Sequence, residues 1–160
     1  MHTTDLARTL ATLFEELVHG APASGGHVLN PGDAGLLKSL DTLSAAAASA
    51  PTATGSSIAA HVDHLRYGLS LMNRWGPGGD PFPDADWSGS WKKTTVSEAE
   101  WEGLRVALRD ETERWLEALR APREMQGVEL NGLVGSIAHL AYHLGAIRQI
   151  DRAARGPVQQ

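Results

Sequence analysis

The stretch Leu130-Asn-Gly-Leu-Val-Gly-Ser-Ile-Ala-His-Leu-Ala-Tyr-His-Leu-Gly-Ala-Ile147 contains no Asp, Glu, Lys or Arg. It is just long enough to cross a bilayer. However, it includes Asn131, Ser136 and two histidines, and polar side chains are costly inside lipid. A helix that is apolar on all sides is equally expected at the centre of a helical bundle. We therefore predict a buried central helix over residues 130–154, ended by Gly156-Pro157, and no membrane-spanning segment.

Three other long segments carry apolar residues at helical spacing, over residues 5–18, 57–75 and 98–119. Ser56 or Ser57 is expected to cap the second of these, and the acidic first turn after Ser97 begins the third. Pro122 is expected to end the third. Trp101 and Trp115 occupy inward positions and are interpreted as core residues.

A shorter helix is predicted after Asp33, which is placed to cap it. Its apolar residues are Leu36, Leu37, Leu40 and Leu43, and Pro51 closes the Ala/Ser run that follows. Residues 76–95 form a long loop that contains Phe82, Trp87 and Trp91. Long loops in compact domains are usually lids, binding elements or disordered, and these aromatic residues favour an ordered loop packed on the helices.

This order of elements predicts an all-α fold, a four-helix bundle with an additional short helix, as one domain over residues 1–160. The net charge of −5 argues against nucleic acid as a partner, because no basic stripe is present. Cysteine is absent, so disulfides and thiolate ligands are excluded. With no sign of a secretory signal in the N-terminal residues, we expect a cytoplasmic protein.

His139 and His143 are the strongest chemical signal in the chain. They stand four residues apart, so both imidazoles lie on one face of the last helix and can bind one metal ion. A third ligand is expected from another helix, and His61 and His64 both lie within the apolar arc of the 57–75 helix. The alternative is that these histidines are merely packed in the core. A metal is favoured because each unsatisfied buried polar group costs about 1–3 kcal/mol.

Small residues share the flank of the last helix that carries the two histidines. They are Gly132, Ser136 and Ala146, and they are expected to leave space for a ligand.

Other metal and catalytic templates fit less well. A zincin needs Glu after the first histidine, where Leu140 stands. A di-iron bundle needs two Glu-x-x-His units, and the single example ends in His19, which is interpreted as a helix terminus. His2 and His27 are expected to be exposed. Neither a nucleophile elbow nor a phosphate-binding loop is present.

Two segments resemble the DinB-like (YfiT-like) family of metal-binding four-helix bundles. They are Ser57-Ile-Ala-Ala-His-Val-Asp-His-Leu65 and His139-Leu-Ala-Tyr-His-Leu-Gly-Ala-Ile-Arg-Gln149. The resemblance covers most of the chain in helix order and length. It implies a histidine triad of His64, His139 and His143 as metal ligands, with His61 one turn away as a supporting or substrate-facing group.

The resemblance also implies a function. Members similar to this chain use a low-molecular-weight thiol such as mycothiol or bacillithiol, so we expect a metal-dependent thiol S-transferase acting on a small-molecule substrate. Zinc, nickel, iron or manganese are the candidate metals. The loop around Trp87 and Trp91 would cover the pocket or anchor to the helices. The alternatives are a non-catalytic metal or small-molecule binding module and a metal-free bundle. A homodimer is expected by analogy.

Overall fold

The computed structural model describes residues 3–53, 55–121 and 127–157. These residues form helices and connecting segments, with no strand among them. The helices are α1 (Thr3–His19), α2 (Gly35–Asp41), α3 (Ala45–Ala48), α4 (Ile58–Trp75), α5 (Glu98–Arg120) and α6 (Gly127–Ile150), with 3₁₀ turns at Gly89–Trp91 and Arg152–Ala154. The all-α prediction is confirmed. His2 and Pro122 lie outside the described residues.

Among the described residues the four longest helices, α1, α4, α5 and α6, surround a common core. The α4 helix packs against α5 and α6, and α1 also packs against both of them. Phe14, Leu65, Leu108 and Trp115 are among the side chains that are almost completely buried there. Full burial of one large apolar side chain contributes about 1.5–3 kcal/mol, so this core is the main stabilising feature.

The two tryptophans of α5 are core residues, as predicted. Trp101 and Trp115 are each no more than 1% exposed. Their indole N–H groups still find acceptors: Trp101 donates to the carbonyl of Leu43, and Trp115 donates to the hydroxyl of Ser136. Trp115 therefore reaches from α5 across the core to the middle of α6.

The start of α4 is fixed by its cap, which positions the histidines that follow. Ser57 accepts a hydrogen bond from the backbone N–H of Ala60, which confirms one of the two predicted caps. Its hydroxyl also donates to the carbonyl of Thr94 at 2.7 Å, joining the end of the long loop to the first turn of α4. The helix start predicted after Ser97 is confirmed as well, and Ser97 and Glu100 form a capping box there.

The short second helix was predicted wrongly in two respects. It ends at Asp41, and α3 begins after Ser44, whose side chain caps it, so Leu43 lies between two helices. The residue at the N-cap of α2 is Ala34 rather than Asp33. The carboxylate of Asp33 accepts the N–H of Gly35 but is otherwise occupied by an ion pair with Arg148.

The last helix also differs from its predicted bounds. It begins at Gly127, three residues early, and ends at Ile150, where a 3₁₀ turn capped by Asp151 takes over. Asp151 favours this exit because its side chain accepts the N–H of Ala153 in competition with the helical pattern. No helix in the described part of the chain is long and apolar enough to cross a bilayer.

Candidate metal centre

Three imidazole rings from α4 and α6 converge on one point. The Nε2 atom of His139 lies 3.1 Å from Nε2 of His64 and 2.9 Å from Nε2 of His143. Ligand nitrogens of the three residues all lie within 4.8 Å of one another. A tetrahedral ion with bonds of about 2.0–2.1 Å would hold nitrogens roughly 3.3 Å apart. The three histidines are therefore close enough together to hold one metal ion.

The helix geometry explains which histidines meet. His139 and His143 are one turn apart on α6, so their rings stand one above the other. On α4 the choice between His61 and His64, which helical periodicity leaves open, is decided by packing. His64 presents its Nε2 atom to the α6 pair, whereas His61 contacts His143 through Nδ1, on the other side of that ring.

Ser90 fixes the tautomer of His64. The Ser90 hydroxyl lies 2.7 Å from the carbonyl oxygen of Trp87, which can only accept, so the hydroxyl donates its hydrogen there. It must then accept from Nδ1 of His64, which lies 2.8 Å away. A neutral His64 with hydrogen on Nδ1 has its lone pair on Nε2, the atom that faces the other two histidines. A metal ligand requires this state.

His61 has the corresponding relation to His143. Their Nδ1 atoms are 2.8 Å apart, so one carries a hydrogen and the other accepts it. When Nε2 of His143 is used as a ligand, its Nδ1 carries the hydrogen and His61 accepts. His61 therefore supports the orientation of His143 rather than replacing His64.

The electrostatics of the centre keep its rings uncharged. Burial lowers the pKa of His64 to about 4, and the charges that His139 and His61 would carry add to the effect. The pKa of His143 is lowered to about 3, again first by burial and then by its histidine neighbours. Burial also lowers the pKa of His61 and of His139. Neutral imidazole is the form that binds metals, so at neutral pH the centre is ready to accept an ion.

The long loop packs on the centre through its aromatic residues, as predicted. Trp91 stacks on the ring of His64 with centroids 4.3 Å apart, and it contacts His61 edge-on. Trp87 lies 5.7 Å from the His64 ring and reaches the neighbouring cavity. The loop thus anchors to the helices and covers one side of the histidines.

A cavity of about 390 Å³ opens directly beside the centre. His64 and His139 are among the residues that line it. Glycines of α4 and α6 also line the cavity, and their lack of side chains makes room for it. Of the small residues expected to make room on α6, Gly132 and Ser136 line the cavity, together with Gly135. Ala146 is not among its lining residues.

Other polar residues near the motifs are not part of the centre. Asp63 forms an ion pair with Arg66 at 2.8 Å, and Tyr142 is 70% exposed. Arg148 turns away from the histidines to bind Asp33. His27 is exposed, as expected.

Sequence reasoning found the three converging histidines but missed Ser90. A serine between two tryptophans in a loop carries no periodicity that would place it under a histidine ring. The cavity was anticipated only as a set of small residues on one flank of α6.

The chain matches no protein-family model, no curated protein and no solved structure. The resemblance to DinB-like proteins therefore stays a prediction that rests on the two histidine segments.

Proposed function

We propose that this protein binds a divalent metal ion through Nε2 of His64, His139 and His143, in a four-helix bundle of the DinB-like kind. The observation that carries the proposal is the convergence of these three atoms at 2.9 and 3.1 Å. Zinc, nickel, iron and manganese all accept imidazole ligands. Three protein ligands leave at least one coordination position open, which is typical of a catalytic rather than a structural site.

The reaction that fits best is the transfer of a group to a low-molecular-weight thiol of the mycothiol or bacillithiol class. A metal ion in such a site lowers the pKa of a bound water or thiol. The thiol loses its proton to solvent, and its sulfur forms a bond to an electrophilic carbon of the second substrate. The bond from that carbon to its leaving group breaks, and the leaving group departs with the electron pair.

The residues that line the cavity support this class of chemistry. Among the described residues that line the cavity there is no carboxylate and no lysine. A reaction that needs a side-chain general base in the cavity is therefore poorly served, whereas a nucleophile activated by the ion needs none. The same observation is compatible with a second function, a non-catalytic metal or small-molecule binding module. A homodimer and a cytoplasmic location stay predictions.

Metal binding is tested on protein purified without a His-tag and treated with chelator. We expect Co²⁺ or Zn²⁺ to bind at one ion per chain, and His143→Ala to weaken binding by more than about 100-fold, beyond the effect of losing a supporting residue. His27→Ala, which removes an exposed loop histidine, is the matched control and should bind as the wild type. Equal binding by the wild type and His143→Ala would refute the centre.

Catalysis is tested on the metal-loaded protein with a panel of thiols and 1-chloro-2,4-dinitrobenzene, which releases chloride as the thioether forms. We expect turnover that disappears in His143→Ala and persists in His27→Ala. Stoichiometric metal binding without turnover for any thiol would favour the non-catalytic binding module.

A further inference from the structure

The cavity beside the histidines has a composition that selects its ligand. Resting on the function proposed above, we propose that it binds the uncharged, apolar part of the electrophilic substrate, of the size of a bicyclic aromatic group. The cavity is lined by His64, Leu65, Gly68, Leu69, Met72, Phe82, Trp87, Gly132, Gly135, Ser136, His139 and Leu140. No charged side chain occurs among these described residues.

Two polar side chains of this lining, those of His64 and Ser136, already have their hydrogen-bonding groups engaged within the protein. Ser136 donates its hydroxyl hydrogen to the carbonyl of Leu133 and accepts the indole N–H of Trp115. Nδ1 of His64 is bound to Ser90. A ligand with many hydroxyl or carboxylate groups would leave them without partners, at about 1–3 kcal/mol for each neutral group and more for a charge. Full burial of a polar, sugar-containing thiol in the cavity is therefore unfavourable.

His139 offers a polar edge to the ligand. A Cβ atom added at Gly68 would lie 3.5 Å from Cε1 and 3.7 Å from Nδ1 of His139, so this edge of the ring faces the cavity wall of α4. Nδ1 of His139 has no hydrogen-bond partner in the described part of the chain. With Nε2 used as a ligand, Nδ1 carries a hydrogen and can donate to one acceptor on the substrate. The reactive end of the substrate would thus lie beside the centre.

Size and access agree with this assignment. A dry apolar cavity of roughly 150 Å³ holds benzene, so about 390 Å³ has room for a bicyclic aromatic group. Two aromatic side chains of the loop line the cavity and remain open to solvent, with Phe82 38% and Trp87 40% exposed. Exposed aromatic residues beside an apolar cavity are typical of a ligand entrance.

Two glycines of α6 provide a matched test. A Cβ atom at Gly135 would meet nothing within 4 Å, and Gly135 lines the cavity. Gly145 has equally open surroundings on the same helix but is not part of the lining. Leucine can therefore be introduced at either position without an immediate clash, and only the side chain at position 135 occupies space beside the cavity.

The experiment measures binding of N-phenyl-1-naphthylamine, an uncharged dye whose fluorescence rises in apolar surroundings. We expect saturable binding at one dye per chain, weakened at least 10-fold by Gly135→Leu, less by Gly135→Ala, and less than 2-fold by Gly145→Leu. Circular dichroism and Co²⁺ titration are recorded for every variant, and both should match the wild type.

The outcomes separate the two proposals. Failure of the wild type to bind the dye, or equal binding by Gly135→Leu and Gly145→Leu, would overturn the cavity assignment even where Co²⁺ binds. Dye binding with the expected pattern of variants, combined with no Co²⁺ binding, would support the cavity and refute the metal centre. If Gly135→Leu lost its helical signal, Gly135→Ala would decide, and it should still weaken dye binding relative to Gly145→Leu.

Discussion

The α6 helix carries two buried polar clusters, and they satisfy their hydrogen-bonding groups in opposite ways. Near its C-terminus, Arg148 binds both carboxylate oxygens of Asp33 at 2.7 and 2.9 Å and donates to the carbonyl of Ala154. Opposite charges are paired here, and the N–H groups of Arg148 face oxygen acceptors. Nearer the middle of α6, His139 and His143 meet His64 of α4, and the Nε2 atoms of the three rings face one another with no carboxylate among them.

The two clusters differ in whether their hydrogen-bonding groups are satisfied within the protein. The ion pair is complete within the protein and needs nothing further. In the histidine cluster, His64 offers a lone pair, and the Nε2 atom of His139 contacts two nitrogens at once. One hydrogen on His139 would have to serve both neighbours. In the proposed function, a metal ion would replace that shared hydrogen and would give each of the three lone pairs its own bond. Of the two clusters, only the histidine cluster needs a ligand to satisfy its nitrogen atoms.

The largest expected effect comes from breaking the complete cluster. Arg148→Met removes the charge partner of Asp33. The side chain of Asp33 is only 2% exposed, so its carboxylate would stay buried without a partner. Such a loss costs about 3–5 kcal/mol of unfolding free energy, to be measured by urea denaturation. The double variant Asp33→Asn/Arg148→Met should recover part of this loss, because no buried charge remains unpaired. A change below 1 kcal/mol in the single variant would show that the pair contributes little.

The histidine cluster should behave in the reverse manner, gaining stability from an added ion. At a free Zn²⁺ concentration 100 times the Kd, binding to the folded state alone stabilises it by about 2.7 kcal/mol. Thermal unfolding with and without Zn²⁺ should show this gain in the wild type and in His27→Ala, and no gain in His143→Ala. An equal gain in His143→Ala would place the ion elsewhere on the chain.

Support of the ligands has a smaller effect. Ser90→Ala removes the acceptor that holds the hydrogen of His64 on Nδ1, and loss of such a partner typically weakens metal affinity 10–100-fold. Competition with a chromogenic chelator measures this change. Ser88→Ala is the matched control, since Ser88 is an exposed serine of the same loop that makes no side-chain cap. Identical affinities for the two variants would remove Ser90 from the centre.

Near neutral pH the smallest effect is the dependence of stability on pH in the metal-free protein, and it grows as the pH is lowered. His64 and His143 have folded-state pKa values of about 4 and about 3, below the reference of 6.5 for an exposed histidine. The unfolded chain therefore binds more protons than the folded one below about pH 6.5, and stability falls as the pH is lowered toward those values. Each histidine contributes up to about 1.4 kcal/mol per pH unit.

Urea denaturation between pH 7 and pH 4.5 measures this dependence. The variant His64→Asn/His143→Asn should lose stability more slowly over this range than the wild type. Metal affinity should fall over the same range, because protons compete for the same nitrogens. A wild-type curve no steeper than that of the variant would contradict neutral, buried imidazoles.

The features that the sequence revealed are local ones. The spacing of His139 and His143 places both on one helix face wherever the helix packs, and the caps at Ser57 and Ser97 depend only on neighbouring residues. The third ligand was not decided by periodicity, because His61 and His64 both lie on the apolar arc and only the register between α4 and α6 selects His64. The family resemblance pointed to His64, and the geometry of the three rings agrees with it.

The features that were missed depend on distant contacts. Asp33 is a residue type that often caps helices, but Ala34 is the N-cap of α2, and the carboxylate of Asp33 also pairs with Arg148, 115 residues away. The first of the two short helices, α2, ends at Asp41, and α3 begins after Ser44. Between them, the carbonyl of Leu43 accepts a hydrogen bond from Trp101 of α5. Such competition between local preference and tertiary contacts cannot be seen in a single segment of sequence.

The central claim is that three Nε2 atoms from two helices share one ion. A crystal structure of Zn²⁺-loaded protein with anomalous scattering recorded on both sides of the zinc edge tests it most directly. We predict a single strong peak about 2.0–2.1 Å from Nε2 of His64, His139 and His143. Loaded crystals with no peak between these rings, or with the zinc on other residues, would contradict the account.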